Sequence, residues 1–161
     1  MHIAGYIQQA SKGIVLVVNK WDLVVGKSTT EYNRYIRSQL KFMAYAPVLY
    51  ISAKFGQGVD KIMPQVGQIY QERLKRLSTA VVNNVVQQAV AAHNLPRIGG
   101  KQLKILYATQ AEVNPPTFVF FVNDTKLIHF SYQRYLENKL RQSFGFMGTP
   151  FRLVFKTRGE Q

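Results

Sequence analysis

Near the N-terminus a short polar motif follows directly on an uninterrupted aliphatic segment, and few folds accommodate this arrangement. Residues Ile14 to Val18 are all aliphatic, which is typical of a strand buried on both faces of a parallel sheet. Asn19-Lys20-Trp21-Asp22 follows without a spacer. In open α/β sheets, ligands bind at the carboxyl ends of the strands. The segment therefore predicts a parallel α/β sheet with a ligand site at residues 19–22.

Helical periodicity on both sides of this strand extends the pattern to residue 77. Helices are expected at residues 3–10, 28–44 and 59–77, with a second short strand at 48–51. This alternation predicts the right-handed crossover unit of a doubly wound sheet. The residues expected on the inner face of the last helix are Val59, Ile62, Val66, Ile69, Tyr70, Leu74 and Leu77.

Beyond residue 77 the pattern changes to a helix, two strands, a second helix and a final strand. The strands at 103–111 and 117–123 are separated by Asn114-Pro115-Pro116, which predicts a hairpin. The order α-β-β-α-β with antiparallel pairing predicts an α+β domain. We therefore place a domain boundary after residue 76, giving domains 1–76 and 77–161.

The motif at residues 19–22 carries a carboxylate whose chemistry suits one nucleobase. Asp22 can accept two hydrogen bonds from guanine, one from the ring N–H and one from the exocyclic amine, and adenine offers no such pair. A base without those donors would leave a buried carboxylate unpaired, which is costly. Asn19 is expected to tie the loop and contact the base, and the Lys20 stem to lie over the ring.

A second motif, Ser52-Ala53-Lys54, stands at the end of the strand expected at 48–51. A backbone N–H near Ala53 would donate to the guanine carbonyl oxygen, and Ser52 would brace the loop. The two motifs together predict a guanine site made of Asn19, Lys20, Asp22, Ser52, Ala53 and Lys54.

The net charge favours a polyanionic partner. Lys and Arg number 21 against 8 Asp and Glu, which gives +13 and a pI near 10.1. Up to Arg76 there are eleven basic and four acidic residues, and beyond it ten and four, so the excess is +7 and +6 in the two halves. Such a field suits nucleic acid or anionic lipid; the alternative is a solubilising surface with no such partner.

Several other classes of protein are not expected. No uncharged apolar stretch reaches the roughly 18 to 20 residues that a membrane span requires, so we predict no membrane partner. The chain has no cysteine, and its three histidines show no metal-ligand spacing. We therefore expect neither disulfides nor a metal site.

The guanine motifs, taken with the segments around them, resemble one known family. Several segments up to residue 54 resemble the second GTPase domain of the bacterial Der/EngA family: 3–7, 13–24, 45–48 and 51–54. Segments beyond residue 77 are similar to the KH-like domain of the same family: 95–96, 103–110, 115–118 and 144–150. The chain thus resembles the C-terminal part of a ribosome-associated GTPase, with a partial second GTPase domain and then the KH-like domain.

This resemblance implies a fold and a cellular role. It implies the C-terminal half of a P-loop (Ras-like) GTPase domain at 1–76 and an α+β KH-like domain at 77–161. It also implies GTP as the nucleotide, with Mg²⁺ in the full-length parent, and a role in assembly of the large ribosomal subunit in the cytoplasm. The implied partners are the large subunit or its ribosomal RNA, and the GTPase domains of the parent protein.

The sequence departs from the family where phosphate chemistry is concerned. It contains no G-x-x-x-x-G-K-S/T motif, no switch threonine and no D-x-x-G. Phosphoryl transfer relies on the P-loop lysine, bound magnesium and a positioned water. We therefore expect this chain to contain no catalytic residue and no magnesium ligand, and to be inactive as a GTPase by itself.

The KH-like domain also lacks a feature of ordinary KH domains, which clamp about four nucleotides with a GXXG loop. The corresponding region, residues 124–131, contains no glycine. Three basic residues of the following helix are instead candidates for RNA phosphate contact, namely Arg134, Lys139 and Arg141. The alternative is a solvated helix face above an ordinary aromatic core.

Two further interpretations of function remain open at the level of the sequence. One is a stand-alone RNA-binding or ribosome-binding adaptor that works without GTPase activity. The other is a gene fragment with no function of its own.

Overall fold

The computed structural model describes residues 2–26 and 28–157, which divide into two compact units. The first unit holds the chain up to Arg73 together with Phe146–Pro150. The second unit holds Leu74–Gly145 and the chain from Phe151 onward. Along the chain, the first unit therefore ends three residues before the boundary placed from the sequence. A later segment of five residues also belongs to the first unit.

The first unit is an α/β arrangement around two short parallel strands. Strand β1 (Leu16–Val18) pairs with β2 (Val48–Tyr50), with Leu16 opposite Val48. The helices are α1 (His2–Gln9), α2 (Thr29–Gln39) and α3 (Ile62–Leu74). The predicted parallel pairing is confirmed. The expected burial of β1 on both faces is wrong, because among the described residues β1 pairs with a strand on one side only and Val17 is 40% exposed.

Helix α2 is capped by a side chain at its N-terminus. The Ser28 hydroxyl accepts a hydrogen bond from the Glu31 N–H at 3.3 Å, which satisfies a donor of the first turn. The helix ends at Gln39, five residues before the predicted end. Arg37, in its last turn, donates to the Met43 carbonyl at 3.2 Å and to the Ala46 carbonyl at 2.7 Å, and so attaches the segment after the helix to it.

The predicted inner face of α3 is confirmed only in part. Ile62 and Leu77 are partly buried, although Leu77 lies beyond the end of the helix. Ile69 is buried, whereas Val66 and Tyr70 are 41% and 55% exposed. A two-stranded sheet is too narrow to cover the whole apolar stripe of a three-turn helix. The uncovered side forms an apolar cavity of about 180 Å³, and a wider apolar groove of about 620 Å³ lies between α1 and β1.

The second unit is an α+β domain built on a three-stranded sheet, whose strands at 105–113, 116–122 and 152–157 lie in that order. Strands β5 (Ile105–Val113) and β6 (Pro116–Val122) form the predicted antiparallel hairpin. The prediction of antiparallel pairing is wrong for β7 (Arg152–Thr157), which runs parallel to β6. Helix α5 (Phe130–Phe144) returns the chain to the end of the sheet where β6 begins, and this crossover makes the pairing parallel.

Helix α4 (Thr79–Ala92) and a small hairpin complete the second unit. The hairpin pairs β3 (Arg97–Ile98) with β4 (Lys101–Gln102). The core takes fully buried side chains from α4, β6 and α5: Val82, Val86, Phe118, Phe120, Leu136 and Leu140. No helix in the described part of the chain is long and apolar enough to cross a membrane.

Tyr132 is a buried phenol in this core, and it supports a stability prediction. Its side chain is 3% exposed, and its hydroxyl has no hydrogen-bond partner among the described residues. Burial, with a smaller contribution from Tyr135, raises the pKa of Tyr132 to about 12. Tyr132→Phe should therefore leave the free energy of unfolding at pH 7 unchanged or raise it by about 1 kcal/mol.

Tyr132→Phe should also make the free energy of unfolding depend less on pH above about pH 10. Because the folded state holds the neutral phenol, its contribution is complete below the unfolded pKa of about 10 and is lost as pH rises through about 12. Urea unfolding at pH 7, 10 and 11 measures this, with the exposed Tyr35→Phe as control. A loss above 1 kcal/mol at pH 7 would show that the hydroxyl has a stabilising partner.

Candidate functional site

The loop after β1 is held in a tight conformation by one side chain. Lys20 adopts the left-handed region, with φ 62° and ψ 32°, and residues Trp21–Leu23 form a single 3-10 turn. The Asn19 Oδ1 atom accepts hydrogen bonds from the Lys20 N–H at 2.8 Å and from the Ala53 N–H at 3.0 Å. Asn19 therefore joins the two loops that the sequence motifs define.

Backbone contacts fix the second loop beside the first. The Trp21 N–H donates to the Ile51 carbonyl at 2.9 Å, and the Ser52 N–H donates to the Gln57 carbonyl at 2.9 Å. Gly58 has φ +73°, and a Cβ atom there would lie 2.8 Å from the Tyr50 carbonyl oxygen. The loop can turn back against its own strand because this position carries no side chain.

Four of the six predicted guanine-site residues border one cavity of about 260 Å³. They are Asn19, Lys20, Asp22 and Lys54, and Leu23 joins them. Ser52 does not border it, because its side chain is fully buried, with no partner for its hydroxyl among the described residues. Ala53 lies outside the lining too, and its N–H, the expected donor to guanine, is directed at Asn19.

Trp21 is a site residue that the sequence analysis did not single out. The residue is 6% exposed, and its ring packs edge-on against Tyr32 at 5.0 Å and at a tilt of 48° against Tyr50 at 4.4 Å between centroids. The Tyr50 hydroxyl donates to Asn33 Oδ1 at 2.9 Å, and burial, opposed by Arg37, raises the pKa of Tyr50. A bulky aromatic residue inside a polar motif could have indicated from the sequence that this loop is held by packing of a buried ring.

The residues around the cavity are mostly polar or charged. The side chains of the bordering residues carry a carboxylate, an amide and two ammonium groups, and the Lys54 Nζ lies 5.2 Å from the centre of the Phe55 ring. Across residues 2–26 and 28–157, no three His, Cys, Asp or Glu side chains lie close enough together to hold a metal ion. The residues that border the cavity thus supply both hydrogen-bond donors and acceptors.

The three candidate RNA contacts on α5 have different surroundings. The Arg134 guanidinium lies 5.7 Å from the Phe130 ring centre, and the Lys139 Nζ lies 5.7 Å from that of Tyr135. Arg141 is 14% exposed and donates twice to Glu137, at 3.0 and 2.8 Å. Its charge is thus offset within the helix, whereas Arg134 is exposed and Lys139 partly so.

Known proteins resemble both parts of the chain. A family model described as "KH-domain-like of EngA bacterial GTPase enzymes, C-terminal" matches residues 76–156. A protein named GTPase Der from Desulfitobacterium hafniense is 51% identical over 161 residues. The proteins of the same name from Moorella thermoacetica and Lactobacillus acidophilus are 50% and 46% identical over 161 and 159 residues. These alignments cover 98–99% of this chain and 36–37% of the relatives, so the chain spans about a third of their length.

Proposed function

The chain belongs to the EngA/Der family of bacterial GTPases, whose KH-like domain it carries at residues 76–156, and we propose that residues 1–76 form the guanine-recognising half of a P-loop GTPase domain. One observation carries this proposal. Asn19 joins the two motif loops by hydrogen bonds, and one cavity gathers Asn19, Lys20, Asp22 and Lys54. Guanine specificity needs these groups within reach of one base.

In this proposal each side chain at the cavity has its own part in holding the base. The Asp22 carboxylate accepts from the guanine ring N–H and exocyclic amine, and the aliphatic stem of Lys20 covers the ring. Asn19 keeps the second loop in place, and the Ala53 N–H is shared between Asn19 and the guanine carbonyl oxygen. Adenine presents no donor pair to Asp22, so the site selects guanine.

The triphosphate supplies the chemistry of the GTPase reaction, and magnesium would neutralise its charge in the full-length parent. No described residue is assigned to the phosphates or to magnesium. Within this chain the site binds and orients a base, and we propose that hydrolysis belongs to the complete protein. The complete protein would act in assembly of the large ribosomal subunit, and the basic surface of the chain suits contact with ribosomal RNA.

A nucleotide titration tests the guanine site. We expect no saturable heat with GTP below about 1 mM, because a base alone supplies few of the contacts that a nucleotide needs. At millimolar GMP, NMR amide shifts should be confined to residues 19–23 and 52–55, should be absent with AMP, and should vanish in Asp22→Ala. Equal shifts with AMP would refute guanine selection. Micromolar GTP affinity that Asp22→Ala abolishes would show that the phosphate half is dispensable.

A second function deserves a test because the positive charge is shared by both halves of the chain. An adaptor would bind ribosomal subunits through its KH-like domain without using GTP. Co-sedimentation with subunits at increasing salt, with GTP, GDP or no nucleotide, distinguishes the two. Salt-sensitive binding that no nucleotide changes favours the adaptor, while nucleotide-dependent binding in the full-length relative favours a GTPase switch.

A further inference from the structure

The sheet of the second unit carries a stacked aromatic pair, the exposed Tyr107 and the partly buried Phe121, that the guanine site does not use. Tyr107 on β5 stands opposite Phe121 on β6, and Phe121 stands opposite Lys156 on β7. Residues opposite each other on neighbouring strands point to the same face. These three residues, called the Tyr107 row below, thus lie side by side across the sheet. Phe118 and Phe120 alternate with Val119 and Phe121 along β6. They are fully buried and point to the opposite face of the sheet.

The two rings of the Tyr107 row stand stacked, with one end of the stack open. Their centroids are 4.3 Å apart and their planes are inclined by 14°. Each ring therefore has one face against the other ring. Among the described residues β5 is the outer strand of the sheet, so none of them forms a strand beyond Tyr107, whose side chain is 41% exposed. A flat ligand can extend the stack by packing on the outer face of Tyr107.

The positive charge around the row identifies the ligand. Lys156 ends the row on the third strand, two strand spacings or roughly 10 Å from Tyr107. On β7, Arg152 lies four residues before Lys156, on the same side because side chains alternate between faces. The chain beyond Arg76 carries ten basic against four acidic residues. A stacking ring beside cations is the arrangement by which proteins hold single-stranded nucleic acid.

We propose that the Tyr107 row is a binding site for single-stranded RNA, in which one base stacks on Tyr107 and Lys156 contacts the phosphate of a nearby nucleotide. Phe121 acts as a positioning residue, since it supports the Tyr107 ring from behind. The site accepts any base, because every base has a π face. This inference rests on the proposed RNA-binding role of the second unit and names the surface that performs it.

Fluorescence anisotropy with a labelled uridine decamer tests the proposal on the whole chain. The decamer contains no guanine, so the loops at 19–22 and 52–54 do not contribute. Tyr107→Leu should weaken binding about tenfold, the loss of one base–aromatic stack, while Tyr107→Phe should stay within about twofold of the wild type. Lys156→Gln should reduce the slope of log affinity against log salt by about 0.7.

Two exposed aromatic residues elsewhere provide a matched control and a test of a rival site. Tyr35→Leu, at a 64% exposed position on α2, should leave the affinity unchanged. Phe130→Leu, at a 66% exposed position that begins α5, probes a rival site beside Arg134. If Phe130→Leu weakens binding and Tyr107→Leu does not, RNA binding stands but the Tyr107 row is not its site.

Two further outcomes overturn the proposal at different levels. If the wild type binds no decamer at 50 mM salt, both the RNA-binding role of the second unit and the site are wrong. If a double-stranded RNA of equal length binds as tightly, and Tyr107→Leu changes neither affinity, binding is electrostatic and the stack has no part in it. Circular dichroism of each variant verifies that the exposed substitutions leave the fold intact.

Discussion

Replacing Gly148 with alanine should lower the free energy of unfolding of the first unit by about 3 kcal/mol or more. Gly148 has φ +67°, and a Cβ atom there would lie 2.5 and 2.6 Å from two Ile69 side-chain carbons and 2.9 Å from the Ile14 carbonyl oxygen. A left-handed conformation costs a non-glycine residue about 1–2 kcal/mol. Overpacking a close contact costs about 1–3 kcal/mol more. The backbone oxygen of Ile14 cannot move aside as a flexible side chain can.

The effect should be large because Phe146–Pro150 holds the first unit together. The Gly148 carbonyl accepts from the Ile14 N–H, and the Gly148 N–H donates to the Tyr45 carbonyl, both at 2.8 Å. Phe146 is fully buried, and its N–H donates to the Glu72 carboxylate at 2.6 Å. The segment thus bridges the approaches to β1 and β2, and the first unit depends on residues that lie beyond position 145.

The fluorescence of Trp21 allows unfolding of the first unit to be measured separately from that of the second. It is the one tryptophan of the chain and lies buried in the first unit, so its emission follows that unit alone, while far-ultraviolet circular dichroism follows both. In Gly148→Ala the Trp21-detected midpoint should fall, by about 4–8 °C for each kcal/mol lost. The transition of the second unit should move much less.

Two other glycines of the first unit are matched controls for Gly148. A Cβ at Gly67, inside α3, meets nothing within 4 Å, so Gly67→Ala should be neutral or stabilising. Gly26 has φ +65° with open space around it, so Gly26→Ala isolates the cost of the left-handed backbone. A Gly148→Ala loss no larger than that of Gly26→Ala would show that the close packing against Ile69 and Ile14 contributes nothing.

Local patterns in the sequence predicted the elements of the fold well. The last three residues of the aliphatic run before Asn19 form β1, and the helix expected from residue 28 begins at Thr29 as α2. These features depend on neighbours within a few residues, which a sequence displays directly. The grouping of Asn19, Asp22 and Lys54 at one cavity was also predictable, because the ends of parallel neighbouring strands meet. Their role in guanine binding stays a prediction.

Contacts between distant segments were beyond the reach of these patterns. Nothing periodic marks residues 146–150 as part of the first unit, because an irregular loop packs through shape and backbone hydrogen bonds. The pairing of Arg141 with Glu137 could be predicted from their i, i+4 spacing. The contact of the Arg141 guanidinium with Phe151, 4.1 Å from the ring centre, could not. The exposed side of α3 was missed because periodicity identifies an apolar face without showing what covers it.

Trp21→Ala should also cost about 3–5 kcal/mol in the first unit, and it should remove the guanine cavity at the same time. Truncating a buried aromatic to alanine leaves a cavity of that energetic scale. The ring packs on Tyr32 and Tyr50 beneath the 3-10 turn that carries Asp22. Without the ring, the turn between Asn19 and Leu23 loses its attachment to the sheet. Asp22 would then no longer be held opposite the base.

Comparing Trp21→Phe with Trp21→Ala separates the aromatic contact that holds the loop from the volume that the side chain fills. Trp21→Phe keeps an aromatic contact with Tyr50 and should lose about 1–2 kcal/mol, with the guanine-dependent NMR shifts of residues 19–23 retained. Leu23→Ala is the matched control, because Leu23 ends the same turn at 71% exposure and should cost less than about 0.5 kcal/mol. Urea unfolding followed by circular dichroism measures all three variants.

The combination of stability and binding decides what Trp21 does. If Trp21→Ala loses stability but still shows the GMP shifts at low temperature, where it remains folded, the ring supports the core and the loop positions Asp22 unaided. If stability falls by less than 1 kcal/mol, the packing against Tyr32 and Tyr50 does not hold the loop. Loss of both together, with Trp21→Phe intermediate, means that the loop presents Asp22 to guanine because an aromatic ring fixes it to the sheet beneath.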